Sequence, residues 1–271
     1  MLRVAGRQVN RLVSYLGLQI VRKPATASSW SVLEGALHGL LSTKQCLNVV
    51  QIGANDGKWN DPLHRFLIEQ RHRTNVLFSE PQPEIAEILE ETYRAHPSIR
   101  VFVGVVSPAR EELLLYRIWP QLWDKTFMPY LNEAPSYRAP SGFASTDRSH
   151  VERHVRSLRW RSNRKPLTSS EAIEALPVRT ATMPDLLEDF PDFDPIDLLQ
   201  IDVEGTDAQL VFAALDADIF PLIINVEIGH LVAGQVDALQ SKLKSHGYQF
   251  TNTGMDLLAV RSKGSDFGLG D

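Results

Sequence analysis

The sequence predicts an α/β protein built on a mostly parallel, doubly wound sheet, with an insertion lying over the carboxyl-terminal edge of the strands. Three observations predict it. Apolar runs of strand length alternate with segments of helical periodicity, an order that implies parallel strands and right-handed crossovers. The runs are nearly continuous rather than alternating, as in strands covered on both faces. Glycines and acids gather just after the strands, where ligands sit in such sheets.

In chain order, PATASSWS at positions 24–31 reads as a linker and Val32–Leu41 as a short helix. Leu47–Ile52 is the first strand, followed by the loop GANDGKWN. Asp61 and Pro62 suit a helix start, as N-cap and first-turn residue, with Leu63, Phe66 and Leu67 on its inner face. Asn75–Ser79 is the second strand, Glu84–Ala95 a helix with Ile85, Ile88 and Leu89 inward, and Ile99–Val106 the third strand. Leu113–Trp119 reads as an extra strand, and positions 120–177 lack clear periodicity, so about 116–177 is assigned as the insertion. Order resumes at Val178 with a helix in MPDLLEDF. The strand Ile196–Val203, a helix over Ala208–Leu215 and the strand Pro221–Ile228 follow. A helix over Val232–Ser245 and a closing pair, YQFTNT and MDLLAV, complete the domain. The chain thus divides into a basic segment and linker (1–31), the main domain (32–262) and a tail (263–271).

At 271 residues and 43% hydrophobic composition the chain is long enough for a substantial core. A net charge of −5 argues against a nucleic-acid binder that works through its whole surface. The single cysteine, Cys46, excludes a disulfide framework and a cysteine metal cluster, and its place before a strand predicts a buried thiol. No apolar run reaches the roughly 20 residues of a membrane-spanning helix. Residues 1–23 carry Arg3, Arg7, Arg11, Arg22 and Lys23 and no acid, with apolar residues near helical spacing. They read either as a helix touching an anionic membrane from the cytoplasmic side or as a terminal docking helix.

The loop QIGANDG after the first strand fits neither phosphate-binding fingerprint. Gly53 and Gly57 are spaced wrongly for G-x-G-x-x-G, and Trp59 stands where a P-loop needs Ser or Thr. Asp56 would repel a pyrophosphate and suits a cationic or ammonium-bearing ligand. Glu80, at the end of the second strand, stands where an acid accepts hydrogen bonds from ribose hydroxyls. A glycine loop with such an acid and no pyrophosphate motif predicts a nucleoside ligand and favours S-adenosylmethionine over NAD.

VVQIGANDG…DP, FSEPQPE, DLLQIDVEGTD, NVEIGHL and GYQFTNTGMDLLAV, taken in order, resemble the FkbM family of S-adenosylmethionine-dependent methyltransferases over roughly Leu47–Val260. The resemblance implies a Rossmann-like seven-stranded sheet and methyl transfer, usually to oxygen on sugars or polyketides. Many members carry an acid where this chain has Gln51. The expected cofactor-binding residues are Gln51, Gly53, Asn55, Asp56 and Gly57 in the first loop, Glu80 and Pro81 after the second strand, Gly104 and Val105 near the third, and Asp202. IDVEG places Asp202 and Glu204 beside the transferable methyl. Asp202 is the first candidate for base or hydroxyl-orienting group and Glu204 the second. Glu227 and His230 join the catalytic set at the next strand end. Asp202, Glu227 and His230 together form the candidate trio for a divalent metal, which is not required by the reading.

The insertion adds Ser141, Gly142, Ser145, Asp147, His150 and His154 as candidate substrate contacts, with His150 and His154 spaced either as a metal pair or as a solvated helix face. Trp119, Trp123, Tyr130, Tyr137 and Phe143 offer stacking faces for a sugar or packing for the core. Positions 153–165 offer basic groups for phosphate or carboxylate or a solvated basic surface. The expected activity is O-methylation of a saccharide, glycolipid or related small molecule. The alternatives are a non-catalytic binding or scaffold protein and a nicotinamide-dependent oxidoreductase.

Overall fold

The computed structural model describes residues 29–127, 134–160, 167–203 and 205–261. Residues 1–28, the C-terminal tail, Tyr130 and Glu204 therefore lie outside the described residues, as does much of the basic stretch 153–165.

Seven strands form the main sheet: β1 (Leu47–Ile52), β2 (Thr74–Ser79), β3 (Ile99–Phe102), β10 (Leu198–Ile201), β11 (Ile223–Glu227), β12 (Tyr248–Asn252) and β13 (Asp256–Arg261). Short strands lie between β3 and β10: β4 (Val105–Val106), β5 (Leu113–Ile118), β6 (Thr126–Phe127), β7 (Arg159–Trp160), β8 (Ile173–Val178) and β9 (Thr180–Ala181). The sheet order is β12-β13-β11-β10-β1-β2-β3, and β13 alone runs against the others. The expected Rossmann-like, seven-stranded, mostly parallel α/β fold is present.

The strands are buried on both faces because each face carries its own helices. Val50, Ile52, Leu199, Ile201 and Val226 pack against helices Met183–Asp189, Asp207–Asp216 and Ala233–Ser245. Leu47, Val49, Val76 and Phe78 pack against helices Ser29–Leu41, His64–Glu69 and Pro83–Thr92. Chain order reverses between β1 and its neighbours β2 and β10, and their carboxyl ends open at that switch point.

Several boundaries differ from the sequence reading. The first helix begins at Ser29, within the expected linker. The helix after the β1 loop begins at His64. Asp61 still works as a cap, accepting the Leu63 and His64 N–H groups at 2.7 and 3.0 Å. The strand expected over Ile99–Val106 breaks at Val103–Gly104, because β4 leaves β3 and pairs with β9. Cys46 is exposed, contrary to expectation, because the chain enters the covered sheet only at Leu47 and the residues just before it stay at the surface.

The insertion is ordered around a small core of its own. β5 pairs antiparallel with β8 across its whole length, and Trp123, Val151, Val155 and Leu158 pack with Ile85 and Ile118. Its longest helix, Arg148–Ser157, has only Val151 and Val155 as apolar residues among charged and polar ones, so the segment gives few apolar positions to read in sequence. Arg117, almost fully buried on β5, is held by Glu84 at 2.5 Å and Glu174 at 2.7 Å, which ties the insertion to the helix following β2.

Candidate active site

β1 delivers Gly53 into a left-handed conformation, φ +80°, at the switch point. A Cβ there would stand 1.8 Å from the Asp202 carbonyl oxygen, so only glycine lets the β1 loop cross the end of β10 this closely. The loop amides then fold back. Gly53 and Ala54 N–H donate to the Ser79 carbonyl at 3.0 and 3.1 Å, and Asn55 N–H donates to Glu80 Oε2 at 3.0 Å.

The strand ends and the insertion frame an open cleft, with about 760 Å³ of space between its walls when the adjoining solvent is counted. Gly53, Asn55, Glu80, Pro81, Gly104, Val105 and Asp202 line it from the sheet side, and Ser141, Gly142 and Ser145 line it from the insertion. Gln82, Arg138, Ala144, Thr146 and Thr206 also line it and were not singled out in the sequence. Gln82 was legible only as the residue two beyond a strand-ending acid. Arg138 carries no local pattern, since its place depends on how the insertion folds.

Glu80 is 3% exposed. Its Oε1 accepts from the Gln82 N–H at 2.9 Å and from Gln82 Nε2 at 3.2 Å. Burial pushes the carboxyl up to about 7, against these hydrogen bonds and the Arg138 charge, which favour the ionised form. Gln82 Nε2 also donates to the Ser141 carbonyl at 3.0 Å, and Asn55 Nδ2 donates to Ser141 Oγ at 3.2 Å. Ser141 is thus the residue by which the insertion grips both the β1 loop and the residues after β2.

Three of the expected first-loop residues are not brought to the cavity. Gln51 alternates to the opposite face from Ile52 and donates to the buried Asp61 carboxyl at 2.7 Å. Asp56 is buried beneath its own loop and does not face the cavity as a partner for a cationic ligand. Its oxygens accept from Lys58 N–H, Trp59 N–H and the Tyr137 hydroxyl at 3.0, 3.1 and 3.1 Å. Gly57 packs against Leu89 and Tyr93, and its carbonyl accepts from the Tyr93 hydroxyl at 2.8 Å.

At the far side of β1, Asp202 faces solvent through the cavity while its carboxyl group sits among protein and other acids. Its surroundings, and the Glu227 and Asp207 carboxylates beside it, hold that carboxyl well above the usual range. Oxygens of Asp202, Asp207 and Glu227 lie within 4.8 Å of one another. This convergence replaces the expected Asp202–Glu227–His230 trio. His230 instead flanks the group, with Nε2 3.6 Å from Glu227 Oε1. Asp207 closes the IDVEG turn by accepting Val203 and Gly205 N–H, both at 2.9 Å, so its oxygens already serve the fold.

The insertion helix sets His150 and His154 over this end, with ring centroids 4.5 Å apart, and His150 lies 6.4 Å from His230. Burial and the neighbouring His154, Arg153 and His230 push His150 down to about 4, so it is neutral near pH 7. Phe143 stacks on His154 at 4.3 Å. Trp123 is core, its indole N–H donating to the Ile118 carbonyl at 2.9 Å, and Tyr137 is spent on Asp56. Trp119 stays exposed. Asp147 caps the insertion helix through the Ser149 N–H at 2.8 Å.

An open sheet wound in this order, with a glycine-hinged loop after its first strand and a buried acid after its second, defines a Rossmann-like domain with its ligand site at the switch point. Residues 51–250 match the family model described as the methyltransferase FkbM domain, and the chain belongs to that family of methyltransferases. No curated protein matches it. Among solved structures, the precorrin-6y C5,15-methyltransferase of Geobacter metallireducens is 8% identical, with a TM-score of 0.38 over 88% of this chain and 90% of that one. The fibrillarin/Nop5p complex matches at 9% identity and TM-score 0.38, over 85% of this chain and 80% of that one. The CMeT domain of the citrinin polyketide synthase matches at 10% identity and TM-score 0.40, over 85% and 51%.

Proposed function

We propose that the chain is an S-adenosylmethionine-dependent methyltransferase acting on a hydroxyl oxygen of a saccharide, glycolipid or related small molecule. One observation carries this reading: a single cavity holds the buried Glu80 on one side of β1 and Asp202 on the other. Two strand spacings separate them, roughly 10 Å, a span suited to a nucleoside with its reactive substituent. The polar groups fit such a ligand: a carboxylate for sugar hydroxyls at one end and acids able to accept a proton at the other.

When bound, the cofactor supplies an electrophilic methyl group. The chain's own residues then have three tasks. Glu80 holds the nucleoside by its hydroxyls. Asp202, whose oxygens lie close to those of Glu227 and Asp207, orients the acceptor hydroxyl and, in its ionised form, takes its proton. Glu227 shares that proton, and His230, half exposed at the rim, passes it to solvent. A divalent ion is not needed for this sequence of events.

Isothermal titration with S-adenosylmethionine, S-adenosylhomocysteine and NAD tests the reading. Micromolar binding of the two sulfur nucleosides with NAD silent is the expected result; NAD binding alone would replace the reading with a dehydrogenase. The charge pattern of residues 1–23 supports contact with an anionic membrane at its cytoplasmic face. Co-sedimentation with phosphatidylserine vesicles should be lost on deleting those residues, and an intact chain that stays in the supernatant would end that idea.

A further inference from the structure

Among the described residues that line the cleft, Arg138 is the basic one, and Glu80 and Asp202 are the acids. Its side chain keeps 20% of its surface accessible. It is anchored at one edge only. Nε donates to the Trp59 carbonyl at 3.1 Å, and Asp56, the one carboxylate within ion-pair distance among the described residues, stands 4.0 Å from the same nitrogen. A guanidinium has five N–H donors. The four on the terminal nitrogens of Arg138 reach no acceptor among the described residues. Nη1 lies beside Gly142, which also lines the cleft: a Cβ on that glycine would stand 2.7 Å from it.

Both acids of the cleft feel this cation, which favours their ionised forms, yet neither is close enough to pair with it. A free guanidinium fork between acid-bearing walls suits a planar anion that can take two parallel hydrogen bonds, which is a carboxylate. S-adenosylmethionine carries one such group, on its amino-acid end, together with two cationic centres, the sulfonium and the ammonium. Two acids and one guanidinium match that set of charges in sign and number.

We propose that Arg138 receives the carboxylate of the bound sulfur nucleoside through its two terminal nitrogens, so that the insertion, not the sheet, anchors the amino-acid end of the ligand. The inference rests on the nucleoside reading given above. It also gives the bond to Trp59 a purpose: with Nε held there, the opposite edge of the fork is left for the ligand. A carboxylate on the acceptor is the rival source, and the test separates the two.

The test is titration of the full chain, without acceptor, with S-adenosylhomocysteine and its decarboxylated analogue, S-adenosyl-3-thiopropylamine. Wild type should prefer S-adenosylhomocysteine by roughly 10- to 100-fold, the scale of charge-assisted hydrogen bonds. Arg138→Met should lose that factor on S-adenosylhomocysteine alone and bind the two ligands within about twofold of each other, with an unliganded thermal midpoint near wild type. Arg138→Lys, which keeps the charge without the fork, should restore part of the preference. A wild type that binds both ligands equally, as an acceptor carboxylate would require, overturns the inference. So does an Arg138→Met chain that keeps the wild-type preference, whether or not both affinities fall. A wild-type chain that binds neither ligand removes the nucleoside reading itself, an outcome distinct from these. Should Arg138→Met fail to fold, Arg138→Gln removes the same charge with a polar side chain and is read by the same outcomes.

Discussion

At the scale of single residues, the site is set by two carboxyl groups whose proton affinities burial and neighbours have raised. Glu80 accepts hydroxyls more strongly when ionised, and its folded value is pushed up to about 7. Ligand binding favours the ionised form, so S-adenosylhomocysteine affinity should rise with pH through about 7 and level off above it; titration across pH 5.5–8.5, a range of roughly one to two units either side, checks this. Glu80→Gln should weaken binding by about 1.5–3 kcal/mol and flatten that pH dependence. Asp202→Asn should lower turnover by roughly 10²–10⁴-fold with cofactor affinity changed little, as measured by steady-state rates beside titration. Normal turnover would return Asp202 to a structural role. Glu80 and Asp202 were visible in the sequence because each ends an apolar strand. The inward turn of Asp56 was not: its partners include Tyr137, which is 81 positions away.

At the scale of elements, two junctions hold the site together. The β1 loop passes over β10 only because Gly53 lacks a side chain. Gly53→Ala meets both a left-handed backbone and a backbone oxygen, so it should cost more than the roughly 1 kcal/mol of an ordinary Gly-to-Ala mismatch and abolish ligand binding, as read by urea denaturation and titration. The insertion is fastened by Arg117, buried between Glu84 and Glu174. Arg117→Met leaves Glu174 without its cation, and a destabilisation of roughly 3 kcal/mol is expected; an unchanged denaturation midpoint would show that packing alone holds the insertion. The long buried strands were readable because continuous apolar runs have few other interpretations. The break at Gly104 was not, since β4 forms only through pairing with β9, 75 residues later in the chain by its first residues, Val105 and Thr180.

At the scale of the molecule, one sheet, two helical layers and the insertion meet at a single cavity. Ligand should therefore stabilise the whole domain. At a hundredfold excess over its dissociation constant, S-adenosylhomocysteine is expected to add about 2.7 kcal/mol, or roughly 5–10 °C in thermal midpoint for a domain of this size, by differential scanning fluorimetry. The fold class was legible because strand–helix alternation constrains topology before any contact is known. The insertion's architecture was not, because its helices are short and charged and its core is shared with Ile85 of the main domain. Among the described residues, no helix is long and apolar enough to cross a membrane.

Ser141 fastens the insertion to Asn55 and Gln82, the residues that also steady the ligand's anchor. If a bound nucleoside leaves past this wall, opening the wall and letting go of the nucleoside are the same event. Such an enzyme would complete its first catalytic cycle faster than those that follow, with departure of the by-product setting the steady pace. Loosening Ser141 would speed later cycles at the expense of grip.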